Sequence, residues 1–551
     1  MFSYFAHWRA CRAKQLEREE RIKALPPDYH SAITANDAAI LHQSVAALAE
    51  SVRSGVVDPQ HILVAYGKKA LQAHSATNCL TEVMISKAEI WAQECNKQGP
   101  LAGVPVSMKD TVGVAGFDSC IGYSAWVGKP FQQDAALVKL LRDAGAVPFV
   151  KTNIPTTLLS FESVSDVWGR TTNPHSKEHS PGGSTGGEAA LLAFGGSRLG
   201  VGTDVAGSVR VPAHYSGIFT IKASMSRFLK AGNASGMVGQ EGIPPVYSPM
   251  TRTLEDLETF WRAVISMKPW DYDPSCAPIP WRSIELPQVL KIGVLWDDGV
   301  VQPSPACRRA LEQVVSLLKA EGHNVISIEP PSPFEALKIG SQLMANACIA
   351  ATSHIGWWES NDPGIARGVF ALRLPRFLNR LHAWFRRYIL RDPLYAELIE
   401  SWHVQGGQEF YALIGKREEY RGRWLEYWQK EGFDFILTVP NALPAMKHRD
   451  SKLQWKSCGY TFLFNVLDYS AGVMPITHVD RALDALSPNF KARNGVEAGA
   501  FEGYDADEMH GLPIGVQLVA RRLEEEKVLE GLKIIQGLAR KNGSGYVHTD
   551  F

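Results

Sequence analysis

The stretch that decides the fold is residues 180–187, which read Ser180-Pro181-Gly182-Gly183-Ser184-Thr185-Gly186-Gly187. Its glycines allow sharp turns and a close approach of the backbone to another group. A helix is predicted directly afterwards, over residues 188–194, so the loop can present several N–H groups to an anion. Neither a Gly-Lys-Ser/Thr ending nor a G-x-G-x-x-G pattern is present, which argues against the two common nucleotide-binding loops. Composition alone leaves a structural turn and a functional loop equally open.

A second glycine-containing turn follows at residues 200–208, which read Gly200-Val201-Gly202-Thr203-Asp204-Val205-Ala206-Gly207-Ser208. Here an apolar strand reaches a tight turn and ends in a serine, an arrangement typical of a nucleophile that stands beside free backbone N–H groups. Such N–H groups are where an oxyanion hole would form. The pattern is not G-x-S-x-G, so it does not indicate the α/β-hydrolase fold.

A nucleophilic serine needs a base, which is most often a histidine held by an aspartate. The histidines nearest in sequence, His175, His179 and His214, lie outside glycine-rich and strand-end contexts, and we interpret them as surface or core residues. Lys109 directly follows the apolar run of residues 103–108. Burial depresses the pKa of a lysine, and a neutral lysine accepts a proton. Taken alone, however, Lys109 is better explained as a surface charge at a strand end.

The wider pattern predicts a parallel sheet built from strand-helix-strand units. Strands are predicted over residues 103–108 and 146–153 with a helix between them, and a second such unit covers residues 290–328. This rhythm is typical of α/β proteins. Apolar spacing predicts further helical segments, over residues 38–51, 61–76 and 365–399. A last strand and helix are expected within residues 508–537.

Composition narrows the class of protein. The 551 residues are 45 % apolar and 21 % charged, and 57 basic side chains balance 57 acidic ones. A nucleic-acid-binding protein usually has a basic surplus, so we expect no nucleic-acid partner. No apolar window is long enough to span a bilayer. The eight cysteines form no C-x-x-C pair and no metal-binding spacing, which is typical of reduced thiols in the cytoplasm.

The segment of residues 365–391 contains seven arginines and no acidic residue, interleaved with aromatic and aliphatic side chains. An amphipathic basic helix of this kind can lie on a membrane surface. The alternative, which we favour, is a helix that packs over the core with its arginines in water. Peripheral contact with a membrane stays open.

Taken together, Lys109, Ser184 and Ser208 resemble the amidase signature family. The spacing of 24 residues between the two serines matches that family, as do several flanking motifs in the same order. These motifs lie at residues 151–155, 173–174, 210–213, 248–252 and 513–519. The resemblance covers about residues 60–545, and residues 460–469 support the branch of fungal acetamidases and fatty-acid amide hydrolases.

The resemblance implies a fold and a mechanism. The fold is a single large α/β/α domain, with a mixed, mostly parallel central sheet flanked by many helices. We expect an N-terminal helical arm at residues 1–60 and the signature domain at 61–545, with its signature core at about 103–260. In the mechanism Ser208 attacks the amide, Ser184 relays a proton after a cis peptide bond, and Lys109 is the base. No cofactor or metal is needed.

The resemblance also implies how a substrate is held. The N–H groups of Val205, Ala206, Gly207 and Ser208 would form the oxyanion hole. Leu158 aligns with a position that contacts substrate, although a plain core leucine is equally open. We further expect residues 156–161 and the aromatic helices after residue 350 to form an apolar acyl pocket, with the side chains Leu158, Leu159, Phe161, Phe370 and Trp384. Thr185 and Ala206 depart from the commoner Ser and Gly, which affects substrate range more than activity.

The predicted function is therefore a serine amidase that releases an acid and ammonia or an amine through an acyl-enzyme. An esterase or transacylase with the same three residues is the alternative, and a catalytically inactive scaffold is a further one. The expected partner is a small-molecule amide, and a homodimer stays open. We expect the enzyme in the cytoplasm.

Overall fold

One large β-sheet extends through the computed structural model, which describes residues 4–454 and 456–551. The strands in the described part are β1 (Leu80–Val83), β2 (Pro105–Lys109), β3 (Val147–Thr152), β4 (Val164–Ser165), β5 (Gly169–Arg170), β6 (Leu199–Asp204), β7 (Phe219–Lys222), β8 (Val246–Thr251), β9 (Lys291–Val294), β10 (Asn324–Ser327), β11 (Phe435–Thr438), β12 (Ser470–His478) and β13 (Pro513–Ala520). All except β4 and β5 belong to an eleven-stranded sheet, in the order β1-β3-β2-β6-β8-β7-β12-β13-β11-β9-β10.

Helices surround this sheet. Those in the described part are α1 (Tyr4–Lys23), α2 (Ala35–His42), α3 (Val45–Arg53), α4 (Pro59–Thr77), α5 (Ile85–Gln93), α6 (Ala136–Asp143), α7 (Gly186–Phe194), α8 (Arg210–Ser216), α9 (Leu254–Ser266), α10 (Pro305–Ala320), α11 (Pro333–Ser353), α12 (Pro363–Arg373), α13 (Arg376–Tyr388), α14 (Pro393–Glu400), α15 (Gly407–Glu431), α16 (Ser451–Gln454), α17 (Gly459–Val466), α18 (Gly495–Phe501) and α19 (Glu525–Lys541). Strands such as β2, β3, β6 and β13 are buried at every residue. Successive side chains of a strand point to opposite faces, so both faces of the sheet are covered there.

The sheet is mixed, as predicted. Parallel pairing joins β3, β2 and β6 in one group and β11, β9 and β10 in another. These groups contain the two strand-helix-strand units that the sequence predicts. The strands between them pair antiparallel, because β7 folds back on β8 and β12 folds back on β13. Antiparallel pairing therefore has a larger share of the sheet than the sequence pattern indicates. The expected class, a single α/β domain with many flanking helices, is confirmed.

The pairing of β2 with β6 brings the candidate catalytic residues to the same edge of the sheet. The two strands run parallel, with Met108 opposite Val201. Both end at the same edge of the sheet, β2 at Lys109 and β6 at Asp204. Lys109 and the turn that carries Ser208 thus become neighbours although 99 residues separate them in sequence.

The predicted helical segments are present, but two of them are divided. The segment 38–51 becomes α2 and α3, because Ser44 accepts a hydrogen bond from Ala47 N–H and so starts a new helix. The segment 365–399 becomes α12, α13 and α14, each of which begins at or directly after a proline. Apolar periodicity continues across these breaks, and it therefore does not reveal them.

The helix α13 is exposed on its apolar side, which is not the arrangement that we favour from the sequence. Phe377, Leu381, Trp384 and Tyr388 are each at least half exposed. The helix packs against α14, whereas the core is covered by other helices. Among the described residues, none of the helices combines the length and the hydropathy needed to cross a bilayer.

Candidate active site

The glycine-rich loop lies tightly against neighbouring backbone. A Cβ on Gly183 would come within 2.3 Å of the Ser160 carbonyl oxygen, so only glycine fits there. The hydroxyl of Ser180 donates to the Phe161 carbonyl at 2.7 Å and ties the start of the loop down. The bond between Gly183 and Ser184 is a cis peptide, as the resemblance implies. The close packing of the loop fixes the position of the Ser184 hydroxyl.

Lys109 points into a set of hydroxyl groups. Its Nζ lies 2.8 Å from Ser184 Oγ, 2.9 Å from Thr185 Oγ1 and 2.6 Å from Thr203 Oγ1. The side chain is fully buried, and within the described part of the chain no carboxylate forms an ion pair with it. Burial lowers the pKa of Lys109 to about 7, although the charge of Asp204 acts in the opposite direction. Near neutral pH a large fraction of this amine is therefore uncharged and can accept a proton.

The hydroxyl groups around Lys109 are not equivalent. The hydroxyl of Thr185 also donates to the Thr203 carbonyl oxygen at 3.3 Å, so its own proton is already in use. The hydroxyl of Ser184 forms no other hydrogen bond with the described residues. Ser184 and Thr203, whose hydroxyls have no other partner among the described residues, are consequently better proton donors to a neutral Lys109 than Thr185 is.

The turn between β6 and α8 is organised by one buried carboxylate. Asp204 accepts hydrogen bonds from the N–H groups of Gly207, at 2.9 Å, and Val209, at 3.2 Å. It also pairs with Arg210 at 2.9 Å. Burial alone would raise the pKa of Asp204, but the neighbouring Arg210 holds it below its ordinary value. The carboxylate thus stays charged, and it fixes the turn that presents Ser208.

Segments from the far end of the chain complete this turn. Arg210 donates to Gln517 Oε1 at 2.8 Å and to Asn465 Oδ1 at 2.5 Å. Thr461 donates to the Ala206 carbonyl oxygen at 2.7 Å. The two C-terminal motifs that resemble the family therefore support the serine turn directly.

The N–H groups of the turn divide into two sets. That of Gly207 donates to Asp204, so it shapes the turn and is not directed to a ligand. Those of Val205, Ala206 and Ser208 have no hydrogen-bond partner among the described residues. Gly207 has a φ of +118°, whereas Ala206 is not at positive φ. The Cβ of Ala206 is therefore tolerated, and of these two residues only Gly207 has a backbone conformation that favours glycine.

A cavity of about 140 Å³ opens beside Ser208. Val205 and Ala206 line it together with Ser208, whereas Lys109 and Ser184 do not. The exposed fraction is 6 % for Ser208, 1 % for Ser184 and 0 % for Lys109. A molecule in the cavity therefore meets Ser208 first, with Ser184 and Lys109 enclosed in the protein.

The walls of this cavity are mainly apolar. Leu158, Leu159 and Phe161 line it, as the sequence predicts. Leu158 has a φ of +64° and lies at the edge of a small cluster with Tyr123. The other apolar side chains around the cavity include Leu337, Met344, Ile365, Leu398, Trp402, Met446 and Phe462.

Two aromatic residues expected in the acyl pocket lie elsewhere. Phe370 lines a separate cavity beneath α12 and α13, and Trp384 is half exposed on α13. The helices α11 and α14 take their place, because these helices lie closer to Ser208 than α13 does. The prediction was wrong for these two residues, since spacing identifies an apolar helix face but not what the face covers.

The histidines near the signature are structural. His214 is fully buried, accepts from Gly515 N–H at 2.9 Å and lies 3.0 Å from the Leu443 carbonyl oxygen. Both ring nitrogens are thus engaged, and burial lowers the pKa of His214 to about 4. His175 and His179 do not line the cavity at Ser208 either. Within the described residues no group of His, Cys, Asp and Glu side chains is arranged to hold a metal ion.

Sequence reasoning missed two buried residues of the site. Thr203 reaches Lys109 only because β2 and β6 pair in the observed register, which no local pattern reveals. Glu188 follows the glycine-rich loop and binds the hydroxyls of Ser107 and Thr152, which joins α7 to β2 and β3. Burial raises the pKa of Glu188 to about 8, so it is largely protonated at neutral pH. Its only signal in the sequence is an acidic residue inside an otherwise apolar helix.

The fold and the site together define the class of protein. A mixed α/β sheet presents a serine turn to an apolar cavity, beside a buried lysine and backbone N–H groups that have no partner among the described residues. This is the architecture of a hydrolytic enzyme that acts on a carbonyl centre.

Comparisons with known proteins narrow the class to a family. The family model described as Amidase matches residues 61–529. The acetamidase of Aspergillus oryzae is 31 % identical over 550 residues, which cover 95 % of both chains. The fatty-acid amide hydrolase 1 of Sus scrofa is 34 % identical over 498 residues, 89 % of this chain and 85 % of that one. A solved structure of fatty acid amide hydrolase superposes with a TM-score of 0.82 at 26 % identity, and it covers 96 % of this chain and 94 % of the other.

The chain belongs to the amidase signature family, and it is an enzyme that hydrolyses carbon–nitrogen amide bonds. It is similar to both acetamidases and fatty-acid amide hydrolases. The resemblance found in the motifs around Ser184 and Ser208 is thereby confirmed.

Proposed function

We propose that Ser208 is the nucleophile, Ser184 the proton relay and Lys109 the base of an amidase that works through an acyl-enzyme. The observation that carries this proposal is the contact of 2.8 Å between Lys109 Nζ and Ser184 Oγ. It is made by a fully buried lysine that has no ion pair within the described residues. The buried Lys14 and Lys68 pair with carboxylates, and the buried Lys222, which also has no ion pair within the described residues, donates to the Ala223 carbonyl oxygen and not to a hydroxyl group.

Acylation begins with neutral Lys109. The amine takes the proton of Ser184, Ser184 takes that of Ser208, and Ser208 Oγ attacks the amide carbonyl carbon. The carbonyl oxygen becomes an oxyanion, which the N–H groups of Val205, Ala206 and Ser208 would stabilise. When the intermediate collapses, the carbon–nitrogen bond breaks and the proton returns through Ser184 to the leaving nitrogen.

Deacylation repeats these steps with water. Water attacks the ester carbonyl and gives its proton through Ser184 to Lys109. The carbon–Oγ bond then breaks, the acid leaves, and Ser208 regains its proton. The residues named supply both the acid and the base, so the steps balance without a cofactor.

The acyl group is proposed to be larger than acetyl. The cavity at Ser208 has mainly apolar walls, and each buried methylene stabilises a bound acyl chain by roughly 0.8 kcal/mol. We therefore expect kcat/KM to rise from acetamide through butyramide to hexanamide. Phenylacetamide should also exceed acetamide. Asp362, the carboxylate that lines the cavity in the described part of the chain, already accepts hydrogen bonds from the protein and is not reserved for a charged amine, so primary amides should be accepted.

The test combines active-site labelling with a substrate panel. A fluorophosphonate should label the wild type and spare Ser208→Ala, and acid should appear from the amides under one condition. A protein that is neither labelled nor active would be a scaffold. Faster turnover of the matched ethyl esters than of the amides would identify an esterase. Preferential transfer to hydroxylamine would identify a transacylase.

We also propose that the exposed face of α13 contacts an anionic membrane surface. Phe377, Leu381, Trp384 and Tyr388 lie at helical spacing on this face, and arginines of the same segment flank it. Apolar side chains beside basic ones favour the interface of an anionic bilayer. Co-sedimentation with vesicles that contain phosphatidylserine should be strong, and it should be weak with phosphatidylcholine alone.

A variant pair tests this surface. Trp384→Ser should reduce vesicle binding, whereas Tyr411→Ser, which changes an exposed aromatic residue on α15, should not. If vesicles do not bind and light scattering shows a dimer that Trp384→Ser dissociates, the face is instead a contact between two copies.

We infer a cytoplasmic location from the cysteines. All eight are free in the structure, as expected for a reducing compartment. Fractionation of cells that produce the protein checks this, and recovery in a secreted fraction would contradict it.

A further inference from the structure

Two polar side chains of α16 that line the cavity at Ser208, Ser451 and Gln454, have buried atoms without a hydrogen-bond partner among the described residues. Gln454, the last residue of α16, lines this cavity and is 2 % exposed. Its Oε1 and Nε2 atoms are both buried, and neither has a hydrogen-bond partner within the described part of the chain. The backbone of the same residue is satisfied, since its N–H donates to the Asp450 carbonyl at 3.1 Å. Within Gln454, therefore, it is the side-chain amide and not the backbone that has no partner among the described residues.

Two other polar residues of the cavity are satisfied within the protein. Asp362 accepts hydrogen bonds from Ser160 Oγ at 2.6 Å and from the N–H groups of Gly364 and Ile365. Ser341 donates to the Lys338 carbonyl at 3.1 Å. These side chains have structural partners, so Gln454 differs from them in kind.

An unpaired buried amide is costly when an apolar group covers it. Both amide atoms are already shielded from bulk water, so an alkyl chain in this part of the cavity would leave them unpaired, whereas a polar group could pair with them. A buried polar group without a partner typically loses enough free energy for a five- to hundredfold effect, roughly, on binding. The site therefore discriminates against a purely hydrocarbon occupant at this place.

We propose that Gln454 binds a neutral polar group on the acyl part of the substrate, away from the scissile amide. The glutamine amide both donates and accepts, so a hydroxyl or a second carboxamide satisfies it. A carboxylate only accepts hydrogen bonds and would leave Oε1 of Gln454 unpaired, so a neutral group that both donates and accepts fits better. This inference rests on the proposed acyl-enzyme at Ser208, and it narrows the substrate class to amides with a polar acyl end.

The experiment compares two series of primary amides with four to eight carbons. One series carries a terminal hydroxyl, as in 6-hydroxyhexanamide, and the other ends in a methyl group. At one chain length the hydroxyl compound should exceed its alkyl counterpart in kcat/KM by about tenfold or more. Equal values at every length, or an alkyl preference throughout, would overturn the proposal.

Two variants assign the effect to the amide. Gln454→Met keeps the length of the side chain and removes its polar head, so the preference for the hydroxyl should be lost and alkyl amides should improve. Ser341→Ala lines the same cavity and should keep the wild-type preference. If Gln454→Met does not fold, the preference of the wild type alone decides. A better substrate among ω-carboxy amides would assign specificity to Lys456 and would refute the role of Gln454.

The outcome also separates this proposal from the catalytic one. If alkyl amides are hydrolysed without any preference for the hydroxyl, only the polar subsite is wrong. If no amide is hydrolysed and the fluorophosphonate does not label Ser208, the catalytic proposal is wrong.

Discussion

The protonation state of one amine determines what the site can do. A charged lysine has three N–H donors, and three hydroxyl oxygens lie within hydrogen-bond distance of Lys109 Nζ. A neutral lysine keeps two donors and gains one acceptor, so one of these hydroxyls must then donate to it. Since the proton of Thr185 is already directed to the Thr203 carbonyl oxygen, the hydroxyls of Ser184 and Thr203 are left as possible donors, and Ser184 is the one of these two that lies on the glycine-rich loop. Burial, which lowers the pKa of Lys109 to about 7, allows both states near neutral pH.

The pH dependence of activity follows from this pKa. The base works only when it is neutral, so kcat/KM should rise with pH, about tenfold per unit below pH 7, and level off above it. Lys109→Met should lose nearly all turnover. His175→Asn is the control, because burial lowers the pKa of His175 to about 4 and the residue is not at the cavity. Initial rates from pH 5 to 9 provide the measurement. A fall with rising pH, or a His175 variant as inactive as Lys109→Met, would reject the lysine base.

The two serines should respond differently to alanine. Ser208 supplies the oxygen that bonds to the acyl group, so Ser208→Ala should lose roughly 10⁴-fold or more in kcat and all fluorophosphonate labelling. Ser184 only transfers a proton, and Ser184→Ala should lose roughly 10²- to 10⁴-fold while it still labels slowly. Single-turnover kinetics with one amide compares them. If Ser208→Ala retained near-normal turnover, the nucleophile would be misassigned.

At the scale of elements, the turn from β6 to α8 has one position that only glycine can occupy. Gly207 has a φ of +118°, and a Cβ there would lie 2.4 Å from Thr461 Oγ1. Gly207→Ala should therefore displace the turn and lower kcat/KM by roughly 10²-fold or more, because reacting groups would move out of line. The same variant should retain most of its stability, which differential scanning calorimetry measures.

A second glycine controls for backbone strain. Gly322 follows α10 and has a φ of +91°, and a Cβ at this position would meet no atom of a non-neighbouring residue within 4 Å. Gly322→Ala should reduce stability by about 1 kcal/mol and leave kcat/KM unchanged. Equal losses of activity in the two variants would show that strain, and not the contact with Thr461, is responsible.

Strands and helices were largely predictable because their causes are local. The apolar runs before Lys109 and Ser208 and the helix after the glycine-rich loop follow from short-range patterns, and they appear as predicted. The order of strands does not follow from such patterns. The central antiparallel strands β8, β7, β12 and β13 pair across up to about 250 residues of sequence, so their direction depends on tertiary packing. Register has the same cause, and the contact of Thr203 with Lys109 was missed for that reason.

At the scale of the whole molecule, the catalytic candidates were predictable from motifs, but the cavity was not. Lys109, Ser184 and Ser208 belong to patterns that are visible in the chain itself. The cavity walls come from six segments, near residues 160, 206, 343, 363, 400 and 454, which only the fold brings together. Phe370 and Trp384 were wrongly assigned to the cavity, because apolar spacing identifies a helix face but not the part of the fold that this face contacts. Gln454 was missed because the sequence does not show that its buried amide lacks a hydrogen-bond partner among the described residues.

The N-terminal helix is joined to the same core by buried charge. Lys14 on α1 is 2 % exposed and pairs with Glu82 at 2.6 Å and Asp118 at 3.0 Å. Side chains of α3 such as Leu48 belong to the main hydrophobic core. The segment 1–60, of which residues 1–3 lie outside the described part, was expected to be an arm. These contacts tie its described residues to β1 and to the loop that contains Asp118.

The stability of the molecule should therefore depend on this ion pair. Lys14→Met would leave two buried carboxylates without their shared cation, and we expect a loss of roughly 3 kcal/mol or more in the free energy of unfolding. Lys541→Met removes an exposed pair with Glu321 and should change it by less than about 1 kcal/mol. Urea unfolding followed by tryptophan fluorescence measures both, and kcat at low temperature should be unaltered in each, because neither lysine lines the cavity. If Lys14→Met unfolds at the same urea concentration as Lys541→Met, the helix is an independent arm and its buried charges are not coupled to the sheet.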